Sequence, residues 1–595
     1  MEFIDSEYLR IEKILLSGGS LNSRQKEFVK LLESKIIIAG PGSGKTTSLS
    51  LKIALFLSYI NRNNIPDGIC VITHTNVAVN EINNALEKVG VGKLRHPHFI
   101  GTIHEFFNSY CVIPYFKRYY KNTSFFFAKE HDNLDAFVSI LSRSFSWMQP
   151  GVKKSIAERA EKSRLILNET TKVFDLENTS DWDIEKFENH KRKMIDIKIK
   201  RKSQGYLTFD ETFLFSKACL FDNRVVEMLR ARFKYVFIDE YQDTHKDGEA
   251  LIDMIFNSPD CILQKIGDPF QTIGYGQSMP IIQEDEVFRL NLSVRFGKEL
   301  ANHLNIIVPE AKIITDPNKA SFKPVIFKYN NQKEISTAYI KYIDSLEGMN
   351  YTFDKSEHVD SILVLRKVSS EHYLNEVYIK SSKDIKEPLL ITVKKIIVDF
   401  IHKKISSSNQ VNAIDSHLLK LIINKHEQIS EVKLIILILI KNIEQQDALK
   451  LIRNCINNVL EEYGINGINV TNSVIIQIKT LIEHHIKMAP VEVQYLEKLT
   501  RANIRTIHSV KGETHRSVLL LDELENKTLT KIFLNQYSED QSIIPYSEEE
   551  IINRNLLYVA MSRPTHLFVF AINQAELTPE LIQKFEGLGW DIVET

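Results

Sequence analysis

The chain has little cysteine. Cys70, Cys111, Cys219, Cys261 and Cys455 are spread over 595 residues, with no C-x-x-C pair. Thiols scattered in this way exclude a disulfide framework and a zinc ribbon, and they fit a reducing cytoplasm. Long apolar runs are also missing. The longest bare aliphatic stretch, Leu434–Ile440, falls far short of the ~20 residues needed to cross a bilayer, so no membrane association is expected. It reads as part of a buried helix. The first residues, Met-Glu-Phe-Ile-Asp-Ser-Glu, are acidic, unlike a secretory leader. Charge of one sign is absent as well. With 75 Lys and Arg against 76 Asp and Glu, the net charge is −1. Overall charge therefore does not mark a nucleic-acid binder, and any such site must be a local groove. What remains is ordinary globular composition, 43% hydrophobic and 25% charged. The length suits three to four domains of about 150 residues each.

One stretch stands out. Lys35-Ile-Ile-Ile-Ala39 is a short β-branched run that predicts a buried strand. Gly40-Pro41-Gly42-Ser43-Gly44 is a glycine-rich turn, and Lys45-Thr46-Thr47 opens a helical segment. Strand, glycine turn and helix start make a phosphate cradle. Backbone N–H groups converge there, and the helix dipole adds about half a positive charge. Lys45 would reach the β- and γ-phosphates of ATP, and the Thr46 hydroxyl would hold Mg²⁺. Ala39 stands where the usual G-x-x-x-x-G-K-[ST] spacing has its first glycine. Just upstream, Asn22-Ser23 before Gln25-Lys-Glu-Phe predicts a helix N-cap. The Gln25 amide could bond an adenine edge, or Gln25 could be a plain surface residue.

Further along, Ile69–Asn76 reads as a strand ending in small hydroxyls, followed by a helix over Val77–Val89. Phe99–Phe106 repeats the pattern and runs into Gly101, Thr102 and His104. Thr75, Asn76, Thr102 and His104 could touch DNA phosphates, or the hydroxyls could simply cap helices. Residues 107–205 carry no strong strand signal and read as a mainly helical insertion. Tyr115–Lys121 interleaves aromatics with bases, and Lys191–Lys202 is strongly basic. Both suit either a single strand or a solvated helix face.

Tyr235-Val-Phe-Ile-Asp239-Glu240 is an apolar strand with two carboxylates at its end. Paired acids there are costly without a cation to share them. Asp239 would hold Mg²⁺ and Glu240 would deprotonate the attacking water. Cys261–Gly267 is a third strand, with Gln271 beyond it to contact γ-phosphate and water, and Tyr275 placed to stack on a base.

The order of these motifs resembles the superfamily 1 DNA helicases of the UvrD/Rep type, over almost the whole chain. Ala39–Thr47, Thr73–Ala78, Gly101–Phe106, Asp239–Thr244, Gly267–Gln271, Leu290–Arg295, Thr506–Gly512 and Leu557–Arg563 look like the family's eight motifs in order. The resemblance implies an α/β fold of two RecA-like P-loop domains, each with a parallel sheet flanked by helices and a mainly helical insertion. On this pattern the first domain spans 1–106 and 206–289, with 107–205 inserted. The second spans 290–375 and 501–595, with 376–500 inserted. The implied activity is ATP-driven movement on single-stranded or tailed duplex DNA, 3′ to 5′. Gln25 would read adenine, Arg295 and Arg563 would act as arginine fingers, and Thr506 and His508 would touch DNA.

Three stretches depart from the family pattern. Val294 replaces the adenine-stacking tyrosine, Tyr275 is displaced by one residue, and the motif at Thr506 continues Lys511-Gly-Glu-Thr-His515. These departures look similar to the helicase subunits of Gabija-type anti-phage systems, which pair with an OLD-family nuclease. Two alternatives stand beside a motor: a DNA-sensing ATPase that regulates such a nuclease, and a catalytically dead, nucleotide-dependent DNA-binding module.

Overall fold

The computed structural model describes residues 3–122, 124–128, 134–178, 184–274, 285–366, 373, 389–407, 446–465, 474–481, 502–537 and 547–595, with single positions at 423, 426, 429, 432 and 435. Apart from Ile435, Leu434–Ile440 lies outside the described residues, as does most of 376–500. Among the described residues no helix is long and apolar enough to cross a membrane. All five cysteines are free and buried.

The chain forms two compact units. The first comprises Met1–Pro324, Lys511–Thr514 and Lys527–Phe568. Its sheet has six strands: β1 Lys35–Ala39, β2 Gly68–Thr73, β3 Phe99–Thr102, β4 Phe233–Asp239, β5 Ile262–Gly267 and β6 Val287–Leu290. They lie in the order β6-β1-β5-β4-β2-β3, every pairing parallel. A parallel strand is buried on both faces, which is why Ile36–Ala39, Ile69–Ile72 and Tyr235–Ile238 within β1, β2 and β4 read as apolar runs. Alternate residues split between two cores. Ile37, Val71 and Phe237 face one core with Leu51, Leu55 and Phe56 of helix α3 (Lys45–Arg62). Cys70, Ile72, Val236 and Ile238 face the other, with Phe106, Ile252 and Phe256.

The parallel register aligns the strand ends. Ile38 pairs with Gly267, Asp239 with Ile266, Ile72 with Ile238 and Thr73 with Thr102. Gly40, Asp239, Asp268, Thr75 and Thr102 therefore sit at or just past one edge of the sheet, where the motifs are needed. Three further helices complete this edge: α1 Asp5–Leu15, α2 Ser23–Lys30 and α4 Asn76–Lys88.

The segment after β3 holds helices over Leu134–Ser144, Pro150–Glu161 and Ile184–Ser203. It also contains an antiparallel hairpin of Ser163–Leu167 on Phe174–Asn178, and Phe126–Ala128 pairs with Tyr206–Thr208. These strands are three to five residues long, and the hairpin carries charged residues at Arg164, Asp175 and Glu177. The lack of strand signal read from the sequence is corrected here. Phe116, Phe137, Met194, Leu207 and Phe215 share its core.

The second unit comprises Val325–Val510, His515–Asn526 and Val569–Thr595. Its six-stranded sheet uses β7 Val325–Tyr329, β8 Asp360–Val364, β9 Ala502–Thr506, β10 His515–Leu521, β11 Pro564–Asn573 and β12 Asp591–Glu594, in the order β9-β8-β10-β11-β7-β12. Helices Leu389–Ser407 and Gln446–Glu462 pack Val393, Ile397 and Ile401 against Ile452, Ile456 and Val459. Two parallel sheets flanked by helices are the expected pair of RecA-like folds.

Candidate nucleotide site and its surroundings

The phosphate loop folds as its residue types dictate. Gly42 (φ +76) and Gly44 (φ +70) take left-handed backbone, which glycine adopts without strain. Space requires glycine as well. A Cβ on Gly42 would lie 2.5 Å from Arg295 Cβ and 2.6 Å from Ser293 Oγ. A Cβ on Gly44 would lie 2.5 Å from Gln25 Nε2. The loop carbonyls are engaged: Gly42 O accepts from Val294 N (3.0 Å) and Gly40 O from Ser43 N (3.2 Å). Ser43 O accepts from Gln25 Nε2 (2.8 Å).

Gln25 is buried and doubly committed. Its Oε1 accepts from Asn22 N (2.9 Å), completing a capping box at the start of α2. Both amide ends bond within the protein, which fixes the amide's orientation and leaves one N–H and one oxygen lone pair for an adenine edge.

At the mouth of the loop, Lys45 Nζ donates to Glu240 Oε1. It also lies 3.2 Å from Asp239 Oδ1, at an angle that leaves this buried oxygen without a hydrogen bond. Burial disfavours the Lys45 ammonium, but the two carboxylates outweigh it and raise its pKa. Burial likewise pushes the Glu240 carboxyl up, yet Lys45 and the Gln242 amide pull it down to about 2. For Asp239 burial prevails over Lys45, and the carboxyl rises. Glu240 itself holds left-handed backbone at φ +52, rare for a residue with a Cβ.

The cradle fits a phosphate, because two glycines hold the loop where any side chain would collide. It fits a divalent cation too, because the orphaned Asp239 Oδ1 is a hard oxygen donor and the Thr46 hydroxyl opens α3.

Arg295 and Arg563 belong to this same unit. Arg295 Nη1 donates to Ser562 O (2.9 Å), and Arg563 Nη2 donates to Gln271 Oε1 (3.0 Å). Burial and the neighbouring Arg563 pull Arg295 down to about 9, and burial lowers Arg563. Two partly desolvated guanidiniums in one place favour an anion.

Four residues to which the sequence reading gave no role join the cluster. Lys511 Nζ donates to Asp243 and to Gln271 O (2.7 Å). Gln242, Asp268 and Tyr558 bond into the same network. All four lie within or beside the motifs quoted above, which was the available signal.

The residues read as DNA contacts divide. Thr75 Oγ1 accepts from Ala78 N (3.2 Å) and Thr102 Oγ1 from Glu105 N (3.3 Å), so both cap helices. Asn76 is the first residue of α4 and is exposed. His104 sits against Phe213, ring centroids 5.0 Å apart, and burial lowers its pKa. Thr506 accepts from Ser509 N (3.3 Å) and His508 is exposed, both in the second unit. Tyr275 lies outside the described residues.

The basic run Lys191–Lys202 is neither a solvated face nor an open strand-binding surface at its C-terminal end. Lys198, Arg201 and Lys202 are buried. Lys202 pairs with Glu211 at 3.0 Å, and Arg201 lies 3.4 Å over the Tyr206 ring.

A model of the UvrD/REP helicase N-terminal domain matches residues 21–276. The chain is 23% identical over 397 residues to the ATP-dependent DNA helicase PcrA of Staphylococcus epidermidis (strain ATCC 35984). It is 23% identical over 400 residues to the PcrA helicase of Staphylococcus aureus (strain Mu50). Each match covers 61% of this chain and 50% of the relative, so the chain spans about half the length of the curated relatives it matches. The matched segment ends just after the Gly267–Gln271 motif and so takes in the phosphate loop and the paired carboxylates; over it the chain is similar to the UvrD/REP helicase N-terminal domain.

Proposed function

We propose that this protein hydrolyses ATP to drive movement along single-stranded DNA, as a helicase or translocase running 3′ to 5′. The observation that carries the reading is the Lys45–Asp239–Glu240 cluster at the mouth of the phosphate loop, with Arg563 bonded to Gln271 beside it. In this reading Lys45 turns from the carboxylates to the β- and γ-phosphates. Glu240 then loses the partner that depresses its pKa and gains basicity toward the attacking water. Gln271 positions that water. Arg295 and Arg563 neutralise charge on the transferring phosphoryl group, an effect of about 10³–10⁵ in rate in comparable enzymes. Thr46 and Asp239 would hold Mg²⁺, which when bound supplies further charge neutralisation on the phosphates. The polar strand ends at Thr75, Asn76, Thr102 and His104, with Thr506, His508 and Tyr275, would meet DNA. The insertions at 107–205 and 376–500 would add DNA or partner contacts. Buried free cysteines support a cytoplasmic setting.

The test is ATP hydrolysis with and without single-stranded DNA, followed by unwinding of duplexes tailed at either end. Strong stimulation supports a motor, and a rate indifferent to DNA overturns it. Val294 and the Lys511–His515 sequence favour a second reading, a subunit of an anti-phage system that regulates an OLD-family nuclease. Co-purification with such a nuclease tests this, and a chain that is always recovered alone refutes it.

A further inference from the structure

Asp268 lies just past the end of β5, 2% exposed. Its carboxylate collects three donors: Phe270 N on Oδ1 (3.1 Å), and Gln271 Nε2 (2.8 Å) and Tyr558 OH (3.3 Å) on Oδ2. Its backbone N donates to Gln242 Oε1 (3.1 Å), and Gln242 Nε2 donates to Glu240. Gln271 thus sits between an anion and a cation, its Nε2 on Asp268 and its Oε1 on Arg563. Exchanging the amide oxygen and nitrogen would face oxygen to carboxylate and NH₂ to guanidinium, losing both bonds.

Tyr558 adds a second link. It is fully buried on the helix Glu548–Met561, which leads directly into Arg563. Its ring packs on Phe270 with centroids 6.2 Å apart, and Asn555 Nδ2 donates to Thr272 O (2.8 Å).

We infer that Asp268 is a positioning residue, which fixes the Gln271 amide in one of its two orientations and holds the Arg563 helix against it. The inference rests on the ATPase reading above. Ionised, the carboxylate accepts from all three donors at once. Protonation turns one of its two oxygens into a donor that faces another donor, which weakens the set of bonds that orients the Gln271 amide. Burial pushes this carboxyl up to about 6. The charged and titratable groups facing it are Lys45, Arg563 and Tyr558.

The experiment uses the full chain with Asp268→Asn, Asp268→Ala and Asp268→Glu. Steady-state ATP hydrolysis at saturating single-stranded DNA is run from about pH 5 to about pH 8. Binding of a fluorescent ATP analogue and hydrogen exchange are measured beside it. Asp268→Asn should lower kcat about 10²-fold, with KM and analogue affinity within about threefold, and should remove the acid limb near pH 6. Asp268→Glu should regain part of the rate. Asp268→Ala should speed exchange in 269–272 and 555–563. An unchanged kcat in Asp268→Asn, or a change confined to KM, overturns the inference. If the wild type hydrolyses no ATP, the ATPase reading fails, and the exchange data alone decide: unchanged protection then refutes the role of Asp268.

Discussion

The ends of β1, β4 and β5 and the ends of β2 and β3 belong to one sheet edge, yet their polar residues do different work. At β1, β4 and β5 the side chains reach one another across the chain: Lys45 to Glu240, Asp268 to Gln271, Gln271 to Arg563. At β2 and β3 the hydroxyls turn back on their own segments, Thr75 to Ala78 N and Thr102 to Glu105 N. Charged and amide groups are long, and burial makes them costly unless they find partners, so they converge. A threonine at a strand-to-helix corner finds an unsatisfied N–H three residues on, and takes it. One half of the edge is thus a connected network of charged and amide groups. The other half is a set of caps whose exposed neighbours remain free to touch a ligand.

Substitutions separate the two halves. Glu240→Gln should leave nucleotide binding intact while lowering turnover about 10²–10⁴-fold, the range of a lost general base. Single-turnover phosphate release with a binding assay beside it checks this. Gly42→Ala should come next. The new methyl meets Arg295 and Ser293 at left-handed φ, so both thermal stability and ATP affinity should drop, with about 1–3 kcal/mol of strain read by thermal unfolding. Gln25→Ala removes one bond to the phosphate loop and one at the α2 cap. It should raise the KM for ATP more than it changes kcat, and cost about 1 kcal/mol of stability. The smallest effects belong to the caps. Thr75→Ala and Thr102→Ala should each cost about 1 kcal/mol, with single-stranded DNA affinity changing less than about threefold. A tenfold loss of DNA affinity at unchanged stability would show that these hydroxyls meet phosphate, and the contrast drawn here would break.

The sequence made the nucleotide half of the edge readable because each motif is a strand end carrying its own charged residue. Local pattern and resemblance point to Lys45, Asp239, Glu240, Gln271 and Arg563, and the fold brings them into one cluster. Lys511, Asp268 and Tyr558 were less legible, because their roles exist only once β5, the Glu548–Met561 helix and Lys511–Thr514 are packed together. Lys198, Arg201 and Lys202 read as a charge run, but tertiary partners such as Glu211 and Tyr206 bury them. The hairpin at Ser163–Asn178 escaped notice because its five-residue strands carry charged residues such as Arg164 and Glu177.

The most direct measurement is phosphate release by wild type and Lys45→Ala across a titration of single-stranded DNA. The wild-type rate should climb with DNA to a plateau, and the Lys45→Ala rate should be at least about 10³-fold lower at every concentration. A Lys45→Ala rate equal to that of the wild type would contradict it, since turnover would then arise somewhere other than the phosphate loop.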